Sequence, residues 1–287
     1  MYLENKAGKV YYEVYGREDA PAILFSHGIN MNHETFKAQA EALKDQYRVI
    51  IWDMPYHGKS SPICNKIPFT ETTADLIIDL LDHLNVEKAV LAGLSLGSYV
   101  TQIVAHKYPE RVNATIHIGG GPLHPPVTPL IKIINPLIGL FIKLYPGNRI
   151  FKAFASHRTL KPETRAYLER VAAENGKKLM SHLTQELLRD MVRGLPRHTD
   201  EPKLLCHGDH EISFVKKQMK RWHIECPESR LVIIENAHHI ANQDNPEETN
   251  KVLIDFLDRI MACNARLICK ISSGVLSEVT GKLRTLM

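Results

Sequence analysis

The stretch Val90-Leu91-Ala92-Gly93-Leu94-Ser95-Leu96-Gly97-Ser98 decides how this 287-residue chain is read. A short apolar run enters Gly-x-Ser-x-Gly, and a helix-period stretch then continues to Lys107. That context describes a strand turning sharply into a helix, with one hydroxyl presented at the turn. Glycines flank the serine because a Cβ at either position would crowd the neighbouring strand or helix. The pentapeptide alone is weak evidence, since chance supplies about one match in ten chains of this length. Its weight comes from the segments on either side.

Working outward, apolar runs of strand length recur in two blocks. Ala22 to Ser26, Val49 to Trp52, Ala89 to Ala92 and Ala114 to Ile118 form the first, Lys203 to Cys206 and Arg230 to Ile234 the second. Amphipathic stretches separate them. In Thr70 to Leu84 the residues Leu76, Ile77, Leu80, Leu81 and Leu84 share one face, and Gly97 to His106 and Pro246 to Met261 are similar. Such alternation predicts an α/β fold, a mostly parallel sheet with helices on both faces. The opening segment Val10 to Tyr15, running into Ala22, predicts an antiparallel hairpin at the sheet edge.

The alternation stops between about Gly121 and Pro196. There Pro122, Pro125, Pro126, Pro129, Pro136 and Pro146 break short helical pieces, and longer helices follow from Pro162 to Arg193. The expected organisation is a core of residues 1–120 and 196–261, a helical lid insertion at 121–195, and a C-terminal extension at 262–287 with no assigned role. Within the lid, Leu137, Ile138, Leu140, Phe141, Ile142 and Leu144 either line an acyl pocket or pack on the core.

Composition narrows the function classes. Hydrophobic residues at 44% and charged residues at 24% are ordinary for a globular protein. A net charge of +4 argues against dedicated nucleic-acid binding, which shows a stronger, clustered basic excess. The five cysteines (Cys64, Cys206, Cys226, Cys263, Cys269) are scattered and lack Cys-x-x-Cys spacing, as expected for reduced thiols in a cytoplasmic protein. The polar start, Met1 to Lys6, is not that of a secretory signal. No membrane span is expected either, because the most apolar segment, Val127 to Tyr145, is interrupted by Lys132, Asn135, Pro136 and Lys143. Fifteen histidines include His207, His210, His238 and His239 in two loops. No His-Glu-x-x-His or His-x-His-x-Asp-His motif accompanies them, so no metal site is expected.

A serine hydroxyl is a poor nucleophile at neutral pH and needs a positioned base, itself oriented by an acid. The second block supplies both types of residue. Leu204-Leu205-Cys206-His207-Gly208-Asp209-His210-Glu211 is a strand running into a loop with two carboxylates, and the loop after the next strand holds Ala237-His238-His239-Ile240. These residues alone leave either carboxylate open as the acid and either loop histidine as the base.

Four segments, in order, resemble the α/β-hydrolase fold family over roughly Val10 to Met261. Ser26-His27-Gly28-Ile29 is similar to the family's oxyanion loop, and Gly93 to Gly97 to its nucleophile elbow. Asp53-Met54-Pro55-Tyr56-His57-Gly58-Lys59-Ser60 resembles its Asp-x-x-Gly-x-Gly-x-Ser loop, with Pro55 and His57 read as the departures. His239, followed by Asn242-Gln243-Asp244-Asn245-Pro246-Glu247-Glu248, resembles the histidine loop and the opening of the last helix. The resemblance implies Ser95 as nucleophile, His239 as base and Glu211, three residues after Gly208, as acid. Asp209 is the alternative acid, and His238 stands where the family usually has glycine. The implied oxyanion hole is the backbone N–H of Ile29 and of Leu96. Asn30, Asn32 and His33 either rim the pocket or, the preferred reading, are solvated loop residues.

The implied activity is that of a serine hydrolase cleaving a carboxylic ester, thioester or lactone through an acyl-enzyme. It takes a small-molecule acyl substrate and no cofactor, and the oligomeric state is left open. A serine at position 95 excludes the dehalogenases and epoxide hydrolases of this fold, which need aspartate there. The same parts suit a cofactor-free perhydrolase or a carbon–carbon bond hydrolase. A non-catalytic ligand-binding protein on this fold is the reading from another class.

Overall fold

In the computed structural model, which describes residues 1–5, 8–62, 68–126 and 130–262, each apolar run singled out above is a strand. Cys64, Cys263, Cys269 and the extension beyond residue 262 lie outside the described residues. The strands are β1 (Tyr2–Asn5), β2 (Gly8–Tyr15), β3 (Ala22–Ser26), β4 (Arg48–Trp52), β5 (Ala89–Leu94), β6 (Val112–Ile118), β7 (Lys203–Gly208) and β8 (Arg230–Ile234). They form one sheet in the order β1-β2-β4-β3-β5-β6-β7-β8. From β4 to β8 every pairing is parallel, and β1 and β2 are antiparallel.

The predicted edge hairpin is corrected. β2 pairs with β4 (Tyr12 opposite Trp52), and its hairpin partner is β1 (Tyr2 opposite Tyr11), not Ala22. The reason lies in β3, whose five residues are all buried and take β4 on one side and β5 on the other. β2 is only partly buried, which suits a strand near the edge.

Helices cover the sheet: α1 (Lys37–Leu43), α2 (Phe69–His83), α3 (Leu96–Lys107) and α7 (Ser213–Glu225). The stripe Leu76, Ile77, Leu80 and Leu81 of α2 is buried, as its spacing requires. A short α8 (Ala241–Asp244) precedes helical residues 246–262. The chain divides into two compact units, Met1–Asn250 and Lys251–Met287, and every candidate site residue belongs to the first. Among the described residues no helix is long and apolar enough to cross a membrane.

Between β6 and β7 the chain is helical: α4 (Leu130–Leu144), α5 (Gly147–Ser156) and α6 (Pro162–Arg193). α6 breaks its helical geometry at Gly176, where φ is 80°. The three helices share a small core of Ile142, Ile150, Ala172 and Met180, with Ile138 and Phe154 against it. Packing on the core does not describe the α4 segment as a whole, because Leu137, Leu140, Phe141 and Leu144 are 62%, 52%, 59% and 74% exposed. Of the six apolar residues singled out in the sequence, Ile138 and Ile142, one turn apart, are the two that pack inward.

Two further positions escape sequence patterns. In the loop after β4, the residue at the family's first glycine position is Tyr56, which keeps the left-handed backbone at φ 69°. The departure that matters there is therefore Tyr56. A side chain in that region costs about 1–3 kcal/mol. Its ring contacts Phe69 of α2 and His182 of α6. The second is Asp190 of α6, buried and accepting a 2.6 Å hydrogen bond from the Thr70 hydroxyl of α2. Burial raises its pKa from 3.8 to about 6.

Candidate active site

The sheet order reverses direction between β3 and β5, and the candidate site lies at the carboxyl ends of these strands. β5 ends at Leu94, Ser95 holds φ 51° and ψ −114°, and α3 starts at Leu96. The turn is feasible only with its two glycines. A Cβ on Gly93 would overlap the Gly97 backbone, and one on Gly97 would overlap the Ser26 carbonyl of β3. The Ser95 N–H donates to Ile118 O at 2.9 Å, tying the elbow to the end of β6.

The loop after β3 brings the first backbone donor beside the serine. A Cβ on Gly28 would stand 3.3 Å from Ser95 Cβ. Leu96, as the first residue of α3, has no helical acceptor for its N–H. Among the described residues the Ile29 N–H has no hydrogen-bond acceptor either. One unused backbone donor thus directly follows the serine, and the other follows Gly28, which packs against it.

This loop is no solvated rim. Asn30, Asn32 and His33 are buried, which corrects the sequence reading. His33 donates from both its backbone N–H and Nδ1 to Asp53 Oδ1, at 2.7 and 2.8 Å, and its Nε2 lies 3.3 Å from Glu13 Oε1. Asn30 Nδ2 donates to Ala172 O of α6, and Asn32 Oδ1 accepts from the Tyr167 hydroxyl at 2.9 Å. Two buried imidazoles hold the loop to the end of β4. His27 donates from Nδ1 to Gly28 O and accepts the Met54 N–H at Nε2. His57 donates from Nδ1 to Pro55 O and accepts the Asn30 N–H at 3.2 Å. Burial lowers their pKa values to about 4 and about 3, so both rings are neutral and can accept.

The second block supplies the acid and base. Glu211 is buried, and its Oε2 accepts from His239 Nδ1 at 2.6 Å while Oε1 accepts the Ile212 N–H at 2.7 Å. Burial pushes its carboxyl upward, but the attraction of and hydrogen bond from His239, with the Ile212 N–H, outweigh it and lower the pKa below 4.5. Asp209, two residues earlier, faces away. It takes His210 Nδ1 at 2.8 Å and the Ala237 N–H at 3.0 Å. Of the two carboxylates left open by the sequence, Glu211 is the one that holds His239.

Because Glu211 takes the Nδ1 hydrogen, His239 keeps a lone pair on Nε2. Gly119 and Gly120, after β6, link the ring to the serine. A Cβ on Gly119 would stand 3.0 Å from His239 Nδ1, and one on Gly120 would stand 3.9 Å from Ser95 O. Among the described residues Ser95 Oγ and His239 Nε2 form no hydrogen bond; such catalytic bonds often tighten only in the substrate complex. His238 Nδ1 accepts the His239 N–H at 2.8 Å, and Asp244 accepts the His238 N–H at 2.9 Å, so the loop is braced from both sides. A groove of about 560 Å³ between α4 and α6, lined by Asn135, Gln185, Leu188 and Val192, contains none of these residues.

Residues 21–160 match the family described as alpha/beta hydrolase fold. The 3-oxoadipate enol-lactonase 1 of Acinetobacter baylyi is 38% identical over 98 residues, a match spanning 34% of this chain and 36% of that protein. An uncharacterized hydrolase of Bacillus subtilis, YugF, is 25% identical over 86% of this chain and 94% of its own length. A thermophilic esterase from Thermogutta terrifontis superposes with a TM-score of 0.79 at 22% identity, over 91% of this chain and 99% of that one. The chain has the α/β-hydrolase fold, and the proteins it is similar to include an esterase and an enol-lactonase.

Proposed function

We propose that the protein is a serine hydrolase cleaving a carboxylic ester, thioester or lactone through an acyl-enzyme. Ser95 Oγ attacks the carbonyl as His239 Nε2 takes its proton, and Glu211 stabilises the imidazolium that forms. The Ile29 and Leu96 N–H groups receive the developing oxyanion. His239 then returns the proton to the leaving group, and a water activated by the same imidazole releases the acid. The observation that carries this reading is the 2.6 Å Glu211–His239 hydrogen bond, which fixes the Nδ1–H tautomer of the neutral ring and so turns its lone pair to Nε2. Similarity to an esterase and an enol-lactonase favours an ester or lactone among these substrates. Buried free thiols at Cys206 and Cys226 support a reducing, cytoplasmic setting.

A fluorophosphonate probe tests the proposal. Labelling of the folded wild type, lost in Ser95→Ala, is expected. An unlabelled Ser95 in folded protein overturns it.

A further inference from the structure

Beside the Glu211–His239 pair lie two hydrogen-bond donors for which the hydrolytic chemistry has no use. The first is Arg158, at the junction of α5 and α6. Its guanidinium is half-buried and stacks 4.1 Å from the centre of the Phe154 ring. One nitrogen, Nη1, donates to Phe154 O at 3.2 Å. Among the described residues Nε and Nη2 have no hydrogen-bond partner, no carboxylate pairs with the guanidinium, and neither nitrogen is sealed from a ligand. An arginine so placed has lost much of its hydration without gaining an anion, an unfavourable state that a bound anion relieves.

Its place in the fold is next to the reacting groups. The Arg158 carbonyl accepts the Ile240 N–H at 3.2 Å, so the residue lies against the loop that carries His239. Its charge acts on Glu211 and on His238. Burial lowers its pKa to about 10, which leaves it cationic at neutral pH.

The second donor is His238, the residue at the family's usual glycine position. Its Nδ1 accepts the His239 N–H, so its ring hydrogen is on Nε2. Among the described residues that Nε2 has no partner and is not sealed. The acids around these donors are already satisfied. Glu211 takes His239 and Ile212, and Asp244 takes the N–H groups of Leu160, Lys161 and His238.

We infer that Arg158 and His238 form an anion subsite that receives a carboxylate carried by the substrate, so the acyl compound cleaved is a half-ester or lactone with a free acid group. A guanidinium fork matches a carboxylate in geometry as well as charge. The inference deepens the hydrolase reading and rests on it for the word "cleaved", while the binding of the acid group can be measured apart from turnover.

Three p-nitrophenyl esters of equal length test it: the hemiglutarate, which ends in a carboxylate, the pentanoate, which ends in methyl, and the glutaramate, which ends in a neutral amide. The wild type is expected to prefer the hemiglutarate by about tenfold or more in kcat/KM. Arg158→Gln should cut that preference by about 10- to 100-fold, mainly through KM, the range for a hydrogen-bonded charge. Arg158→Lys should restore part of it, and His238→Ala should cut it by less. Equal losses on all three esters would show Arg158 acting through Glu211 and His239, and would overturn the inference, as would a wild type with no carboxylate preference. The Ser95→Ala protein, titrated with glutarate and with glutaramide, reads the subsite without chemistry. Tighter binding of glutarate, abolished by Arg158→Gln in that background, upholds the subsite even if no ester is hydrolysed, in which case the hydrolase proposal alone falls. Equal affinity for the two overturns the subsite whatever the esters do.

Discussion

Replacing Glu211 by glutamine probes the site where its geometry is most constrained. Both carboxylate oxygens accept from N–H donors, His239 Nδ1 at 2.6 Å and the Ile212 backbone at 2.7 Å. A carboxylate satisfies both, whereas an amide has one acceptor and one donor end. If the amide oxygen keeps Ile212, the NH2 group faces Nδ1 and drives the imidazole to the other tautomer, placing a hydrogen on Nε2 where the lone pair is needed. If the amide flips, its NH2 group opposes the Ile212 N–H and leaves a buried donor unpaired, at a cost of about 1–3 kcal/mol. The first orientation is therefore preferred, and it is the inactive one. Loss of the correct tautomer in serine hydrolases of this logic costs about 10⁴-fold in kcat, or about 5 kcal/mol. Glu211→Gln is expected to lose about 10³- to 10⁴-fold in kcat on a p-nitrophenyl ester, with an unchanged circular dichroism spectrum. Asp209→Asn, which touches His210 and Ala237 but not His239, is the control and should lose less than about tenfold by the same logic. A folded Glu211→Gln enzyme within tenfold of wild type, or an Asp209→Asn enzyme equally impaired, would refute the reasoning.

Other perturbations test the surrounding structure. Asp190 has a folded pKa of about 6 against 3.8, so the native state binds its proton more tightly than the unfolded chain. Stability is therefore lost as pH rises from about 4 through about 6, by about 3 kcal/mol. Denaturant melts at pH 4 and pH 8 should show Asp190→Asn gaining about that much on wild type between the two, and a pH-independent difference would contradict it. His57→Gln should lower kcat about 10- to 100-fold with little change in KM, because the Asn30 N–H that anchors the oxyanion loop loses its ring acceptor. A larger effect on KM than on kcat would argue against that positioning role. Gly97→Ala should prevent soluble folding, because its Cβ overlaps the Ser26 carbonyl, whereas Gly176→Ala meets no atom within 4 Å and is limited to backbone strain of about 1–3 kcal/mol. Expression and melting temperature of the two variants check this, and a stable Gly97→Ala protein would be the contrary result.

Much of the fold was legible because strands and helices in this chain are marked by local patterns. The buried runs at β3, β4, β5 and β7 could belong to little else, and the elbow glycines state a steric demand in the sequence itself. Legibility failed where a polar residue finds its partner far along the chain. Asn30, Asn32 and His33 read as solvated because nothing nearby reveals Asp53, Tyr167 or Ala172 as acceptors and donors. The antiparallel edge was misassigned because adjacency in sequence suggested β2 beside β3, while pairing obeyed the burial of β3 on both sides. Tyr56 was overlooked because a positive φ leaves no trace in a residue's type unless that residue is glycine. Comparison of the loop with the Asp-x-x-Gly-x-Gly-x-Ser pattern held the signal. Arg158 carried no signal at all, being one arginine among the charged residues of a helical stretch.

By itself the sequence determined the parallel sheet, the strand-to-helix turn at Ser95 and the presence of a histidine loop after the last strand. These follow from apolar periodicity and from steric limits that act between close neighbours in the chain. Only the tertiary structure decided that Glu211 and not Asp209 meets His239, and that Arg158 and His238 stand beside them with donors to offer. Glu211 and Asp209 are two residues apart in one loop and chemically alike. What separates them is the direction each side chain takes from the turn after β7, measured against a ring 28 residues away. Such a choice depends on the packing of β7 on β8 and on the loops they carry, and the sequence pointed to it only through the resemblance of its spacing after Gly208 to the family's.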